Sequence, residues 1–235
     1  MGLFGLGSKK AKKESRMHLR GFPGETSTDK CLLMAAEKGI PLDVELLDVM
    51  GGACDRPDYL KISPFGKCPC LSEDDFVTSG APAVLAYLDV RGQGGQMNPK
   101  KAAIYGEQNY WVQLAETLAE ESANALMWEK VCGPMSDNDY KADISQIAAA
   151  RDQLEQVLDA LDGQLDGRQF IIGEYSHADV HWTSIAHLCM LADEQDLVES
   201  RSHVKAWFDR VKARKSFASL PSLDDVKHKQ LRSVA

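Results

Sequence analysis

No stretch of this sequence stays apolar for the ~18 residues that a membrane-spanning helix needs, so a bilayer span is not expected. An excess of basic charge is missing too. With 27 Lys and Arg against 35 Asp and Glu, the chain carries a formal charge of -8, which argues against nucleic acid as its main partner. The six cysteines (Cys31, Cys54, Cys68, Cys70, Cys132 and Cys189) lack the spacing of a disulfide framework. No secretory signal precedes them, and the expectation is reduced thiols in a cytoplasmic protein. What the chain does have is a hydrophobic content of 44%, ordinary for a protein with a proper core.

Composition divides the chain into five parts. Residues 1–16 carry Lys9, Lys10, Lys12, Lys13 and Arg16 against Glu14 alone, which reads as a flexible basic tail able to touch an anionic membrane surface weakly. A first domain spans 17–91. Gly92 to Asn98 is rich in glycine and polar, and marks a linker over 92–99. Beyond it, 100–220 reads as helices. Ile104, Trp111, Leu114, Leu118 and Leu126 recur at helical spacing in one long helix ended by Gly133-Pro134. Asp137-Asn138-Asp139 then caps a second, striped by Ile144, Ile147, Leu154, Val157, Leu158 and Leu161. Arg201 to Arg214 carries Val204, Trp207, Phe208 and Val211 on one helical face, and 221–235 reads as a loosely held polar tail.

Within 17–91, Met17 to Phe22 reads as a strand that Pro23-Gly24 breaks. Cys31, Leu32, Ala35 and Ala36 follow at helical spacing up to Gly39, and Leu42 to Leu47 alternates as a second strand. A strand, helix and strand of this length favour a parallel pair with a right-handed crossover. Next comes a short apolar strand, Cys68 to Leu71, interrupted by Pro69, where a cis peptide is plausible. Proline there leaves the main chain of Cys68 without a ladder partner and free to pair with an extended peptide. Ser72 to Asp75 turns the chain, Phe76 to Thr78 returns, and Ser79 is expected to cap a helix with Pro82 in its first turn. Free N–H groups at that helix start, around Ser79 and Gly80, suit a carboxylate.

In the helical half, Phe170 to Val180 places Ser176 and Asp179 at capping-box spacing ahead of Val180, Ile185 and Leu188. That spacing assigns Asp179 to folding. His177 and His181 stand four apart without a third ligand at motif spacing, so they read as structural histidines and no metal is expected.

The run Gly66-Lys67-Cys68-Pro69-Cys70-Leu71 with its acidic hairpin, together with Gly173-Glu174-Tyr175-Ser176-His177-Ala178-Asp179, resembles the glutathione S-transferase family. The likeness covers Met17 to Leu220. It departs where the family carries an acidic residue followed by serine, because Gly80 and Ala81 occupy those places here. The resemblance implies an α+β thioredoxin-like βαβ-ββα domain followed by an all-α helical bundle, and a homodimer. It also implies glutathione as co-substrate, held at Lys67, Cys68, Pro69, Ser79 and Gly80, with a hydrophobic electrophile as its partner in conjugation.

In that family the loop after the first strand delivers a hydroxyl or thiol to the glutathione sulfur. Here the loop runs Gly24-Glu25-Thr26-Ser27-Thr28, with no cysteine, which excludes thiol–disulfide exchange through that position. Ser27 is the first candidate to hold the thiolate and Thr26 the second; the same hydroxyls also suit a helix cap, with Thr26 and Asp29 at capping-box spacing. Cys68 and Cys70 read as structural thiols. Tyr105, Asn109 and Val112 are expected to line the electrophile cleft. The rival reading is a family fold kept for binding or scaffolding without turnover, which Gly80-Ala81 favours.

Overall fold

The structure, a computed structural model, describes residues 16–49 and 51–227. Residues 1–15 of the expected tail over 1–16, with its membrane contact, lie outside the described residues, as does the end of the chain from 228.

Four strands form one sheet in the order β2-β1-β3-β4: β1 (Met17–Gly21), β2 (Leu42–Leu46), β3 (Cys70–Glu73) and β4 (Phe76–Ser79). β1 and β2 run parallel, with Met17 opposite Leu42, joined by the crossover helix α1 (Thr26–Glu37). β3 is antiparallel to both β1 and β4. A short α2 (Pro57–Leu60) precedes β3, and α3 (Ala81–Arg91) follows β4. Leu19 and Leu71 from the sheet meet Leu33 and Met34 of α1 and Val84, Leu85 and Leu88 of α3 in one core. This is the expected βαβ-ββα unit. The helix after β4 differs at its start: Ser79 stays in β4, and Gly80 takes the capping position without a side-chain bond. Its φ of 86° is a conformation that suits glycine.

The helical domain opens with one continuous run: α4 (Ala102–Leu114), a π-helical turn (Ala115–Ala119), α5 (Glu120–Met127), a second π turn (Trp128–Cys132) and α6 (Gly133–Ser136). The expected stop at Gly133-Pro134 is not there. Proline is tolerated because it enters where a π turn passes into α6, and Gly133 is required because a Cβ would strike the Tyr140 ring. The next helix, α7 (Ile144–Gln164), is capped by Asp143 rather than by Asp137 to Asp139; its carboxylate accepts from the N–H groups of Ser145 and Gln146. α8 (His177–Leu191), α9 (Asp196–Glu199) and α10 (Ser202–Lys212) complete the bundle. Trp111, Leu154, Leu158, Trp182 and Trp207 lie in its core. The chain past Pro221 is less loose than expected as far as Lys227. Pro221 C=O lies 2.9 Å from His187 Nε2, and Val226 is buried against the bundle.

Ion pairs stitch the sheet domain to the helical one. Arg214 grips Glu37 at the end of α1 through two bonds of 2.7 Å, and its guanidinium stacks 3.8 Å from the centre of the Tyr175 ring. Asp89 of α3 accepts Lys38 Nζ at 3.1 Å and lies 3.1 Å from His177 Nε2 of α8. The linker is pinned as well, because Lys38 Nζ also donates to Gly95 C=O at 2.8 Å and Met97 N–H donates to Asp89. Buried Lys30 of α1 donates to Glu120 of α5 at 2.8 Å.

These contacts set a pH dependence. Burial alone would raise the carboxyl groups of Glu37, Asp89 and Glu120, but their cationic and hydrogen-bonding partners outweigh it and hold all three below their ordinary values. A carboxyl group depressed by folding stabilises the fold above its unfolded pKa and loses that contribution as pH falls through the folded one. Asp179, pushed up to about 6 by burial, works in the opposite direction as pH rises from about 4 to 6. The expected result is a seam that holds at neutral pH and opens below about pH 4. Thermal melts from pH 7 downward check it: a melting temperature that is level or rises slightly to about pH 4 and then drops steeply is expected.

Candidate active site

The Cys68–Pro69 peptide is cis, as the sequence suggested, and lies just ahead of β3. Pro69 C=O accepts from Gly80 N–H at 2.8 Å, which ties the start of α3 to the same corner. Among the described residues no backbone hydrogen bond involves the N–H or C=O of Cys68, so that main-chain edge is open. Tyr59 and Ser63 hold the approach to it by donating to Lys67 C=O at 2.8 and 3.0 Å, while the Lys67 side chain is exposed.

Facing this edge is the start of α1. Phe22 N–H donates to Thr28 Oγ1 at 3.1 Å, and Gly21 packs against both Thr28 and Pro69, which brings the loop and the strand opening together. The Cys68 thiol lies beside Thr28 and Cys54; burial, followed by the charge of Glu25, pushes it up to about 12. It is therefore a protonated packing group. Cys70 is fully buried beside Tyr59 and Leu47.

The two candidate hydroxyls are both bound, and to the same acceptor. Thr26 Oγ1 donates to Glu120 Oε1 at 2.6 Å and accepts from Asn124 Nδ2 at 3.1 Å, while Ser27 Oγ donates to Glu120 Oε1 at 2.9 Å. Thr26 is wholly buried; Ser27 is partly exposed. Of the two, only Ser27 presents a surface to a ligand. The α1 cap is neither of them. Glu25 accepts from the N–H groups of Ser27 at 3.0 Å and Thr28 at 3.1 Å, and Asp29 turns back to accept from Gly24 N–H at 2.9 Å.

Above this corner lies a cleft of about 440 Å³ between the domains. Phe22, Glu25 and Val49 form one wall, and Asn124, Ala125, Met127, Trp128 and Cys132 form the other. The expected lining by Tyr105, Asn109 and Val112 is not observed. Tyr105 is exposed, Asn109 caps its carbonyl oxygen at 2.8 Å, and Val112 packs on the bundle core. Asn124, Ala125 and Met127 of α5 and Trp128 and Cys132 of the turn after it face the cleft instead. His177 and His181 do not converge: His177 meets Asp89, and both ring nitrogens of buried His181 lack a hydrogen-bond partner.

Sequence reasoning missed Glu25, Glu120 and Asn124. Glutamate is not among the residues expected at a helix cap, and Glu120 and Asn124 reach the α1 start across 94 and 98 residues, a relation no local pattern carries.

A four-stranded sheet with a cis-proline corner, set against an all-helical domain across an apolar cleft, defines a two-domain protein of thioredoxin-like architecture. Residues 27–91 match the family described as glutathione S-transferase, N-terminal domain, and 122–215 that described as glutathione S-transferase, C-terminal domain. Glutathione S-transferase F10 of Arabidopsis thaliana is 28% identical over 192 residues, covering 80% of this chain and 88% of its own. Glutathione S-transferase 3 of Zea mays is 24% identical over 205 residues, covering 86% and 91%. In structure, glutathione transferase F2 of Populus trichocarpa superposes with a TM-score of 0.77 at 22% identity, covering 92% of this chain and 99% of its own. The chain belongs to the glutathione S-transferase superfamily.

Proposed function

We propose that this protein binds glutathione in an extended form along the open main chain of Cys68 and conjugates its sulfur to an apolar electrophile in the cleft above. The observation that carries the reading is the unpaired backbone edge of Cys68, next to the cis-proline and facing the start of α1. Strand-like pairing would orient the peptide there. The open N–H groups at the start of α3, beside Ser79 and Gly80, suit one of its carboxylates. In this reading Ser27 turns its hydroxyl from Glu120 to the sulfur, while Glu120 keeps Thr26 and Lys30 as donors. The walls of Phe22, Val49, Ala125 and Trp128 suit a flat, apolar second substrate.

Ser27→Ala tests the assignment. Chlorodinitrobenzene turnover is expected to fall about 10- to 100-fold in kcat/KM, with glutathione retention on affinity resin kept, since one hydrogen bond to an anion is worth ~1.5–3 kcal/mol. Unchanged turnover would remove Ser27 from the mechanism.

A second reading, a non-catalytic binding or scaffolding protein, is favoured by Gly80 and Ala81 standing in place of an acidic residue and serine. No glutathione retention and no turnover in the unmodified protein would select it.

The reading includes a homodimer, supported by exposed apolar side chains on β4 (Phe76, Val77), α3 (Val90) and α4 (Tyr105, Tyr110) and by Phe65, which is 88% exposed. A cytoplasmic setting is supported by six cysteines that are all free thiols. No helix among the described residues is long and apolar enough to cross a membrane. The basic residues Lys9 to Arg16 supply the charge for weak contact with an anionic membrane surface.

A further inference from the structure

A hydroxyl bonded to a carboxylate can stabilise a thiolate once it turns, but it does not take the proton off a thiol. The hydroxyls of Thr26 and Ser27 both donate to Glu120, which lies behind them paired with Lys30, while Thr28 Oγ1 donates to Glu25 at 3.3 Å. Two carboxylates face the cleft, Glu25 and Glu121, and of these Glu25 is the one at the α1 start. Its two oxygens sit on the N–H groups of Ser27 and Thr28, at 3.0 and 3.1 Å, which is the position a bound sulfur would need at this helix end. The carboxylate also lies close enough to the strand opening to raise the Cys68 thiol by its charge.

We propose that Glu25 is the general base of this protein, accepting the thiol proton of glutathione lying along Cys68, so that the sulfur takes over the negative charge at the start of α1. The inference rests on the glutathione reading above. In the step, the S–H bond breaks with its electron pair left on sulfur, and the proton forms an O–H bond on Glu25. The charge moves from oxygen to sulfur and the site keeps the same total. The sulfur then bonds to an electron-poor carbon. In an aromatic substitution halide leaves and Glu25 gives its proton to water in the open cleft; in an addition the same proton passes to the neighbouring carbon.

The surroundings favour proton uptake. Glu120 of α5 acts on Glu25 with like charge, Glu121 of α5 lines the same cleft, and Asp29 faces the loop from α1. Cys54 and Cys68 face it as thiols, and the buried Lys30 is held by Glu120. Burial raises the Glu25 carboxyl above its ordinary value against the pull of the Ser27 and Thr28 donors. A base poised upward in this way is better matched to a thiol than a free glutamate is.

The test uses Glu25→Gln and Glu25→Ser, the second because serine keeps a capping acceptor at the helix start. Three quantities are read: calorimetric affinity for S-methylglutathione, which has no thiol proton; ultraviolet absorbance of bound thiolate against pH; and the pH profile of kcat/KM with chlorodinitrobenzene. Both variants are expected to bind S-methylglutathione within about threefold of the unmodified protein and to lose the thiolate signal at neutral pH. Their turnover should fall by about 10²- to 10³-fold and recover toward the pKa of a free thiol, ~8.5. A capping role alone would lower the melting temperature and leave the pH profile in place, which overturns the proposal. So would a stronger thiolate signal in the variants, since the carboxylate would then merely occupy the anion's place. Failure of the unmodified protein to bind S-methylglutathione would overturn the glutathione reading and this proposal with it; binding with an unmoved profile overturns the role of Glu25 alone.

Discussion

Asp179→Ala is expected to lower stability by about 4 kcal/mol. Its carboxylate is wholly buried and collects four donors: Ile171 N–H at 3.1 Å and Trp207 Nε1 at 2.8 Å on one oxygen, Ser176 N–H at 2.9 Å and Ser176 Oγ at 3.0 Å on the other. Alanine leaves those donors facing an apolar interior, and each unsatisfied buried group costs ~1–3 kcal/mol, partly relieved by relaxation. The same carboxylate closes the capping box at the start of α8, so helix initiation and core packing fail together. Asn should recover less than half, because its NH₂ must face one pair of donors. Urea unfolding reads this as a lowered midpoint at constant slope. A loss under about 1 kcal/mol would mean that water reaches the site.

Glu120→Ala is expected to damage both fold and turnover. Lys30 is 2% exposed, and without Glu120 its nearest carboxylate is Glu116 at 3.8 Å. Breaking a buried pair by removing one partner typically costs ~3–5 kcal/mol, and the longer contact to Glu116 offsets only part of it. Thr26 and Ser27 lose their acceptor at the same moment, so the α1 start is freed from α5 and the site should lose activity beyond what the stability loss explains. The double variant Lys30→Met, Glu120→Leu is expected to restore most of the stability but not the turnover. Additive losses in the double variant would show that the two side chains act independently.

The architecture was legible because local rules carry it. The alternation of Leu42 to Leu46, the helical spacing after Cys31 and the Ser176 to Asp179 box each mark their element without outside help. The cis-proline corner was legible for the same reason, since Pro69 cannot sit inside a regular ladder. The hydroxyls of Thr26 and Ser27 could be named, but not their state. Their partner Glu120 lies on another domain, and Thr26 is sealed by contacts that only the assembled interface makes. The cleft wall was misplaced because periodicity along one helix does not say which of its faces meets the cleft. Tyr105, Asn109 and Val112 stand in α4, whereas the cleft is lined by Ala125 of α5 and Trp128 of the turn after it. Glu25 escaped notice because glutamate usually sits inside a helix's first turn and reaches back, whereas here it stands at the cap itself.

The direct test of the glutathione site is a crystal structure of the protein grown with glutathione. The expected density shows the tripeptide extended along the residues before Pro69, its cysteinyl N–H and C=O paired with the main chain of Cys68 at about 2.9 Å and its sulfur beside Glu25 and Ser27. A vacant corner at saturating glutathione, or a tripeptide seated elsewhere on the molecule, would contradict the account.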